Sequence, residues 1–399
     1  MAKFTKDLAQ PDALNVASIA AANDLFQDGR LFRYGEVGKG IPQAGLFEEE
    51  FAQITGRPYA LGVNSGGCSL FLALKACGVG PGEKVLVNGF TLAPVPGAIE
   101  HAGGEAVLVE INDDLTIDVA DLEAKAASSG AKFLLLSYMR GHLADMDGVM
   151  AMVEKHGLTL IEDCAHATKA FWGDKMIGTF GAVGCFSMQT FKHLNSGEGG
   201  VLVFEDEDIA AKATLMSGTY MLYEQHKARP SMEVFERHKY DMPNCSMRMS
   251  NLVAAILRPQ LLELDARIEH WDKIYDWIGA GIEATINLRL PKRLDKAKPT
   301  PTSIQFVVDN LPYTKIEEFL SHCADQGLHI KWFGAEEPVG FTSRPSHWHY
   351  VEGGKEMQAT DAILRRVCDI RTPPSLQKED CDLIGVILGE AMERALSGS

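Results

Sequence analysis

The chain lacks the long apolar runs that membrane and secreted proteins carry. No stretch reaches the ~18 uninterrupted apolar residues of a membrane-spanning helix. The first seven residues, Met1 to Asp7, contain no apolar core of a signal peptide. We therefore expect no membrane partner and a cytoplasmic location.

Excess positive charge is also absent. Acidic residues outnumber basic ones by 54 to 38, so the 399-residue chain has a formal net charge of −16. Nucleic acids and acidic lipid surfaces bind basic protein faces. The charge balance therefore argues against nucleic acid as a partner.

Paired cysteine motifs and two familiar glycine motifs are missing as well. The eight cysteines include no Cys-x-x-Cys pair, which favours reduced core residues over disulfides or a zinc site. His347 and His349 flank one tryptophan, but no third ligand lies nearby, so we expect a polar loop and no metal. A role for this loop in a substrate pocket stays open. A Gly-x-Ser-x-Gly elbow and a Gly-x-Gly-x-x-Gly turn after a strand are both lacking.

The most informative feature present is Lys192, in a polar, glycine-rich turn. An apolar run at residues 183–188 enters this turn and another at residues 201–204 leaves it. Both runs are typical of buried strands. A lysine in such a place can have its pKa lowered by loss of water and can attack a carbonyl as a free amine.

Asp163 is the second chemically informative residue. Residues 158–161 predict a strand that delivers Asp163 and His166 at its C-terminal end, where open α/β sheets bind ligands. Pyridoxal 5′-phosphate chemistry uses a lysine that forms a Schiff base and a carboxylate that partners the pyridine nitrogen. Taken alone, either residue would more often be an ordinary surface or loop residue.

Several motifs in family order resemble the sugar aminotransferases of fold type I, the DegT/DnrJ/EryC1/StrS family. They span roughly residues 35–262, and each alone would be weak. The motifs are GKG at 38–40, LFEEEFA at 46–52, NSGGCSL at 64–70, GPGEKV at 80–85, GHLADMD at 141–147, IEDCAHA at 161–167, FSMQTFKHLNSGEGG at 186–200, RM at 248–249 and AA at 254–255.

The resemblance implies a role for each matching residue. Lys192 corresponds to the Schiff-base lysine and Asp163 to the partner of the pyridine nitrogen. His166 stands where the family has a glutamine or histidine close to the cofactor's phenolic oxygen. Ser187 and Gln189 match positions that line the phosphate cup.

Gly66 and Gly67 match the family turn whose backbone N–H groups grip the phosphate. This assignment also has support from the residues themselves. The apolar run 59–63 precedes the turn and the helix-like segment 70–76 follows it. A glycine turn between a strand and a helix N-terminus presents free N–H groups to an anion.

The sequence departs from the family pattern at three places. Gly67 replaces the usual threonine, and Leu92 stands where the family has an aromatic ring stacked on the cofactor, with Phe90 as a candidate replacement. A family segment whose asparagine reaches the neighbouring subunit's phosphate aligns with residues 244–249. Strict alignment puts Ser246 in that place, with Asn244 two residues earlier.

Alternation of strand-like and helix-like segments between residues 59 and 204 predicts an α/β fold with a mainly parallel, helix-sandwiched sheet. We expect an N-terminal arm and large cofactor-binding domain at residues 1–255. One long helix from residue 251 to about 284 should lead into a smaller C-terminal α/β domain, residues 256–399. Residues 328–332 predict one of its strands.

The resemblance implies a pyridoxal phosphate-dependent aminotransferase that acts as a homodimer with shared active sites. The implied donor is glutamate or glutamine, and the acceptor a keto-sugar, cyclitol or related small ketone. Candidates for binding a donor carboxylate are Arg140, Arg248, Lys331 and Arg344. The alternatives are a dehydratase, which in this family has histidine in place of Lys192, an aminohydroxybenzoate-synthase-like enzyme, and a non-catalytic cofactor-binding regulator.

Overall fold

The computed structural model describes residues 3–35 and 40–397. Gly38 and Lys39 of the predicted GKG motif lie outside the described residues. The helices, in chain order, are α1 (Val16–Asp28), α2 (Gln43–Thr55), α3 (Gly66–Ala76), α4 (Pro94–Ala102), α5 (Val119–Ser129), α6 (Met146–His156), α7 (Glu207–Gly218), α8 (Met232–His238), α9 (Asn251–Leu261), α10 (Leu264–Glu283), α11 (Tyr313–Asp325), α12 (Gln358–Leu364) and α13 (Lys378–Ser397).

The strands form three sheets. In chain order they are β1 (Tyr59–Val63), β2 (Lys84–Asn88), β3 (Glu105–Val109), β4 (Phe133–Ser137), β5 (Thr159–Asp163), β6 (Phe171–Trp172), β7 (Lys175–Met176), β8 (Val183–Ser187), β9 (Gly200–Phe204), β10 (Leu288–Arg289), β11 (Ala297–Lys298), β12 (Ser303–Val308), β13 (Lys331–Trp332) and β14 (Val367–Arg371).

A seven-stranded sheet of order β1-β9-β8-β5-β4-β2-β3 is the centre of the larger part of the fold. The strands pair in parallel except for β9, which is antiparallel to both of its neighbours. Val85 and Val87 pack in one hydrophobic core and Leu86 in another, so the sheet is buried on both faces. The predicted mainly parallel, helix-sandwiched α/β fold is confirmed.

The register of the central strands brings polar side chains to one edge of this sheet. Ser137 ends β4 and pairs with Asp163 at the end of β5, which in turn pairs with Cys185 near the end of β8. The carboxyl ends of these parallel strands therefore meet at one edge, where such sheets bind ligands.

A second sheet, of order β10-β12-β14-β13, packs with α10, α11 and α13 around a core of its own. Phe4 is part of this core, and its N–H donates to the carbonyl oxygen of Gln326 at 2.9 Å. The chain's N-terminal segment therefore lies against this C-terminal α/β unit. The domain boundary between residues 255 and 256 stays a prediction.

The long helix predicted for residues 251–284 is two helices, since α9 ends at Leu261 and α10 begins at Leu264. The prolyl nitrogen of Pro259, inside α9, has no N–H for a helical hydrogen bond. The strand predicted at residues 328–332 is shorter, Lys331–Trp332. The small sheet β11-β6-β7 was not predicted, because two-residue strands leave no periodic pattern.

Helix lengths and polarity bear on membrane insertion. Across residues 3–35 and 40–397, no helix combines the length and the apolar character that crossing a membrane requires.

Candidate active site

A cavity of about 580 Å³ lies at the carboxyl ends of β4, β5 and β8. It brings together most of the residues that the sequence predicted for the site. Those that line it are Gly66, Gly67, Asp163, His166, Ser187, Gln189 and Lys192.

Lys192 follows β8 in a tight turn, where its N–H donates to the carbonyl oxygen of Gln189 at 2.9 Å. Its Nζ lies 2.7 Å from Nε2 of His166. Burial lowers the pKa of Lys192 to about 7, helped by the positive charges of Arg140 and Arg371 and opposed by Asp163. The lysine can therefore act as a free amine near neutral pH.

Asp163 is held by two hydrogen bonds at the end of β5. Its Oδ2 accepts from Oγ of Ser137 at 2.7 Å, and its Oδ1 accepts from the N–H of Ala165 at 3.1 Å. Thr91 donates to the same serine hydroxyl at 2.7 Å. Burial raises the pKa of the Asp163 carboxyl. The carboxyl is thus fixed in direction and poorly solvated, which favours pairing with a cationic ring nitrogen.

His166 is buried next to Lys192. Burial, and then the positive charge of Lys192, lower its pKa well below the ordinary value. The imidazole is therefore neutral at physiological pH, with one nitrogen that donates and one that accepts.

The Gly66–Gly67 turn forms the first residues of α3, after Ser65 as its N-cap. The hydroxyl of Ser65 accepts from the N–H of Cys68 at 3.1 Å. By helix geometry, the N–H groups of Gly66 and Gly67 have no acceptor within the helix. A Cβ on Gly66 would lie 2.8 Å from Cβ of Ser187, so only glycine fits there.

Gly67, where the family usually has threonine, has open space around it. A Cβ there would meet only Oγ of Ser65, at 3.9 Å. The fold therefore gives no steric reason for glycine at this position.

The side chain of Gln189 turns back on its own loop, where Oε1 accepts from the N–H of Phe191 at 3.0 Å.

Phe90 is the wrong candidate for the missing aromatic ring. It is fully buried in a separate hydrophobic cluster, with its ring 5.1 Å from that of Phe333. Leu92, by contrast, lines the cavity. An aliphatic side chain therefore occupies this wall of the cavity.

Asn244 and Ser246 lie outside the cavity of their own chain and are exposed. Asn244 Oδ1 accepts from the N–H of Ser246 at 3.0 Å, and Ser246 has a positive φ of 55°. The segment runs beside the end of β1, where Asn64 N–H donates to the carbonyl oxygen of Met247 at 3.1 Å. Their contact with a neighbouring subunit's phosphate stays a prediction.

Four basic residues were predicted to bind a carboxylate. Among the described residues that line the cavity, only Arg140 belongs to this set. It pairs with Asp369 at 2.8 Å. The others are engaged elsewhere: Arg248 donates to the Gly218 carbonyl oxygen, Lys331 to the Val339 carbonyl oxygen, and Arg344 to Asp361.

Arg371 is a cavity residue that the sequence reasoning missed. It ends β14, a strand that was not predicted, so no pattern drew attention to it. Its guanidinium carbon lies 4.1 Å from the ring centroid of Phe191, the residue before Lys192. Among the described residues, its guanidinium group has no ion pair and no hydrogen bond. Burial and the nearby Arg140 lower its pKa.

Comparison with known proteins identifies the family. The sequence profile of the DegT/DnrJ/EryC1/StrS aminotransferase family matches residues 20–388. The chain therefore belongs to this family of aminotransferases.

Several named proteins are similar in sequence to this chain over part of their length. Spore coat polysaccharide biosynthesis protein SpsC of Bacillus subtilis (strain 168) is 37% identical over 235 residues, which are 58% of this chain and 59% of that protein. L-glutamine:2-deoxy-scyllo-inosose aminotransferase of Streptomyces lividus is 32% identical over 249 residues, 62% of this chain and 58% of the relative. The similarity thus spans less than two thirds of each relative.

Solved structures match over nearly the whole chain. The structure of S. venezuelae DesV in complex with a ketimine intermediate is 25% identical, with a TM-score of 0.79 over 96% of this chain and 95% of the other. The structure of 3-amino-5-hydroxybenzoic acid synthase has a TM-score of 0.81 at 24% identity, over 96% of this chain and 99% of the other, and supports the fold alone.

Proposed function

We propose that this protein is a pyridoxal phosphate-dependent aminotransferase that moves an amino group from glutamate or glutamine to a keto-sugar, cyclitol or related small ketone. The observation that carries the proposal is the half-buried amine of Lys192, with a pKa of about 7, close to the carboxyl of Asp163. Membership of an aminotransferase family supports the same activity.

The residues present fit the cofactor. Lys192 offers a reactive amine, and Asp163 an acceptor for a protonated ring nitrogen. At the phosphate end, the first position of α3 has room only for glycine, because a side chain on Gly66 would collide with Ser187. When bound, pyridoxal phosphate supplies an electron sink for charge that develops on the substrate carbon.

Each protein residue then has a definable part in the reaction. Lys192 would take the proton from the donor's α-carbon and pass it on to the bound cofactor, since its pKa near 7 suits both uptake and release. Asp163 keeps its position through Ser137 and stabilises positive charge on the ring nitrogen. Arg371 and Arg140 face the same cavity and suit a donor carboxylate.

The relatives support this choice of substrates. One is named for L-glutamine as amino donor and an inosose as acceptor. GDP-perosamine synthase of Caulobacter vibrioides, 32% identical over 233 residues, indicates chemistry on a sugar. Lys192 argues against the dehydratases that have histidine there. The relative 3-amino-5-hydroxybenzoate synthase of Amycolatopsis mediterranei, 33% identical over 247 residues, keeps an aminohydroxybenzoate-type reaction as the second candidate.

The working unit in this proposal is a cytoplasmic homodimer with shared active sites. Asn244 and Ser246 are exposed beside the end of β1, the strand that leads to the Gly66–Gly67 turn, which suits contact with a second copy. Two-fold symmetry is the commonest arrangement of soluble oligomers. All eight cysteines are free, as in a reducing compartment.

The test is a two-step assay on purified protein loaded with pyridoxal phosphate. Glutamate or glutamine should change the cofactor's absorbance and release a keto acid. A keto-sugar or cyclitol acceptor should then restore the spectrum and yield an aminated product. The Lys192→Ala variant is the matched control and should complete neither step. Absence of turnover with every amino donor would contradict the proposal.

A further inference from the structure

One wall of the cavity is built by the N-terminal segment and α10, not by the large sheet. Residues of segment 8–15 line it, together with Arg267 and Trp271 of α10. Asp12 is the acidic side chain of this segment, and Arg267 stands opposite it. Neither residue has a part in the proton transfer at Lys192 or in the binding of the ring nitrogen by Asp163.

Asp12 and Arg267 form a loose pair. The NH2 atom of Arg267 lies 3.9 Å from Oδ2 of Asp12, which is beyond hydrogen-bond distance, and both side chains are 23% exposed. Burial raises the pKa of Asp12, while Arg267, His270 and a hydrogen bond from the backbone of Ser375 act in the opposite direction. Each group therefore keeps bonding capacity for a third group in the cavity.

The position of Arg267 is fixed relative to the reacting lysine. Its guanidinium carbon lies 5.2 Å from the ring centroid of Trp271. The indole N–H of Trp271 donates to the Thr372 carbonyl oxygen at 2.8 Å, and its ring centroid lies 5.5 Å from that of His193, the neighbour of Lys192. Two ring contacts thus connect the pair to the lysine turn.

We propose that Asp12 and Arg267 bind the side-chain carboxamide of the amino donor and so select L-glutamine over L-glutamate. This inference rests on the proposed function, since it assigns the donor of that reaction. In this arrangement the α-carboxylate lies at Arg371, whose guanidinium stacks on the ring of Phe191, the residue before Lys192. The far end of the donor then reaches the Asp12–Arg267 wall.

The chemistry of the two groups matches a carboxamide. A guanidinium only donates hydrogen bonds and an ionised carboxylate only accepts them. A carboxamide offers one oxygen that accepts and one NH2 group that donates, so it satisfies both. The side-chain carboxylate of glutamate has only acceptors and meets the like charge of Asp12. Hydrogen bonds to charged groups contribute enough for a preference of roughly 10- to 100-fold.

The experiment compares donors in the first half-reaction and at equilibrium. Single-turnover absorbance changes of the holoenzyme give rate constants and apparent affinities for L-glutamine and L-glutamate. The Lys192→Ala variant loaded with pyridoxal phosphate gives equilibrium binding of both amino acids by calorimetry, without turnover. Both measurements are repeated with the variants Asp12→Asn and Arg267→Lys. The control variant is Asp24→Asn, which removes one exposed acidic side chain on α1.

We expect the unchanged protein and Asp24→Asn to prefer glutamine by about tenfold or more. Asp12→Asn should bring the glutamine-to-glutamate ratio close to one, mainly through weaker glutamine binding. Equal use of both donors by the unchanged protein, or an unchanged ratio in Asp12→Asn, overturns the inference. The same loss for both donors also overturns it, because the pair would then only fasten the N-terminal segment to α10.

The equilibrium binding measurement on Lys192→Ala distinguishes failure of this inference from failure of the proposed function. If the holoenzyme turns over neither donor but the Lys192→Ala background still binds glutamine more tightly through Asp12, the aminotransferase assignment fails and the carboxamide site stands. If turnover is normal and the ratio does not depend on Asp12, only the carboxamide site fails. If neither amino acid binds or reacts, both fail.

Discussion

Nε2 of His166 lies 2.7 Å from Nζ of Lys192, and both side chains line the same cavity. The histidine is neutral because burial and the nearby lysine lower its pKa. It can therefore share a hydrogen bond with the amine without adding a positive charge. This contact joins the end of β5 to the turn after β8, the two segments that carry the reactive groups.

The first prediction concerns the pH dependence of cofactor uptake. A lysine reacts with an aldehyde as the neutral amine, which predominates only above its pKa. Because the pKa of Lys192 is about 7, covalent capture of pyridoxal phosphate by apoprotein should speed up as pH rises through about 7 and then level off. Stopped-flow absorbance measures the rate. A midpoint near 10, as for an ordinary lysine, would contradict the lowered pKa.

A second prediction follows from the positive charge of Arg371, which helps to lower the pKa of Lys192. Arg371→Gln should move the midpoint of that pH profile upward. It should also raise the apparent KM for the amino donor by about tenfold, through loss of a charged hydrogen bond to its carboxylate. Arg365→Gln, which changes an exposed arginine paired with Asp361, is the control. An unmoved profile together with an unchanged KM would remove Arg371 from the site.

The third prediction separates the charge of Asp163 from its positioning. Asp163→Asn should fold normally yet lower turnover by at least ~10²-fold, the scale for losing a positioned acid–base partner. Ser137→Ala removes the hydroxyl that donates to Asp163 Oδ2 and should cause a smaller loss. Thermal unfolding checks that both variants are folded. Near-normal turnover in Asp163→Asn would show that this carboxyl is not the partner of the ring nitrogen.

The fourth prediction concerns assembly. If Asn244 and Ser246 reach the phosphate of a second copy, the Asn244→Ala, Ser246→Ala double variant should bind pyridoxal phosphate more weakly. Cofactor should also strengthen association, because a ligand that binds only the dimer favours it by mass action. Light scattering of apo- and holoprotein gives the mass. A fully active monomer, or an unchanged cofactor affinity in the double variant, argues against the shared site.

The sequence predicted the central strands and the lysine turn well, because apolar runs at residues 183–188 and 201–204 are strong local signals. It could not predict contacts between segments that are distant in the chain. The pairing of Arg140 with Asp369 and the stacking of Arg371 on Phe191 both join the two parts of the fold. Phe90 was a reasonable candidate by residue type, but its burial against Phe333 depends on tertiary packing.

The role of Lys192 is tested most directly by finding the residue that carries the cofactor. Holoprotein is reduced with borohydride, digested, and its labelled peptide is sequenced by mass spectrometry. We expect the pyridoxyl label on Lys192, in the peptide that follows β8, and no label in Lys192→Ala. A label on any other lysine, or a holoprotein with no covalent cofactor, would contradict this role.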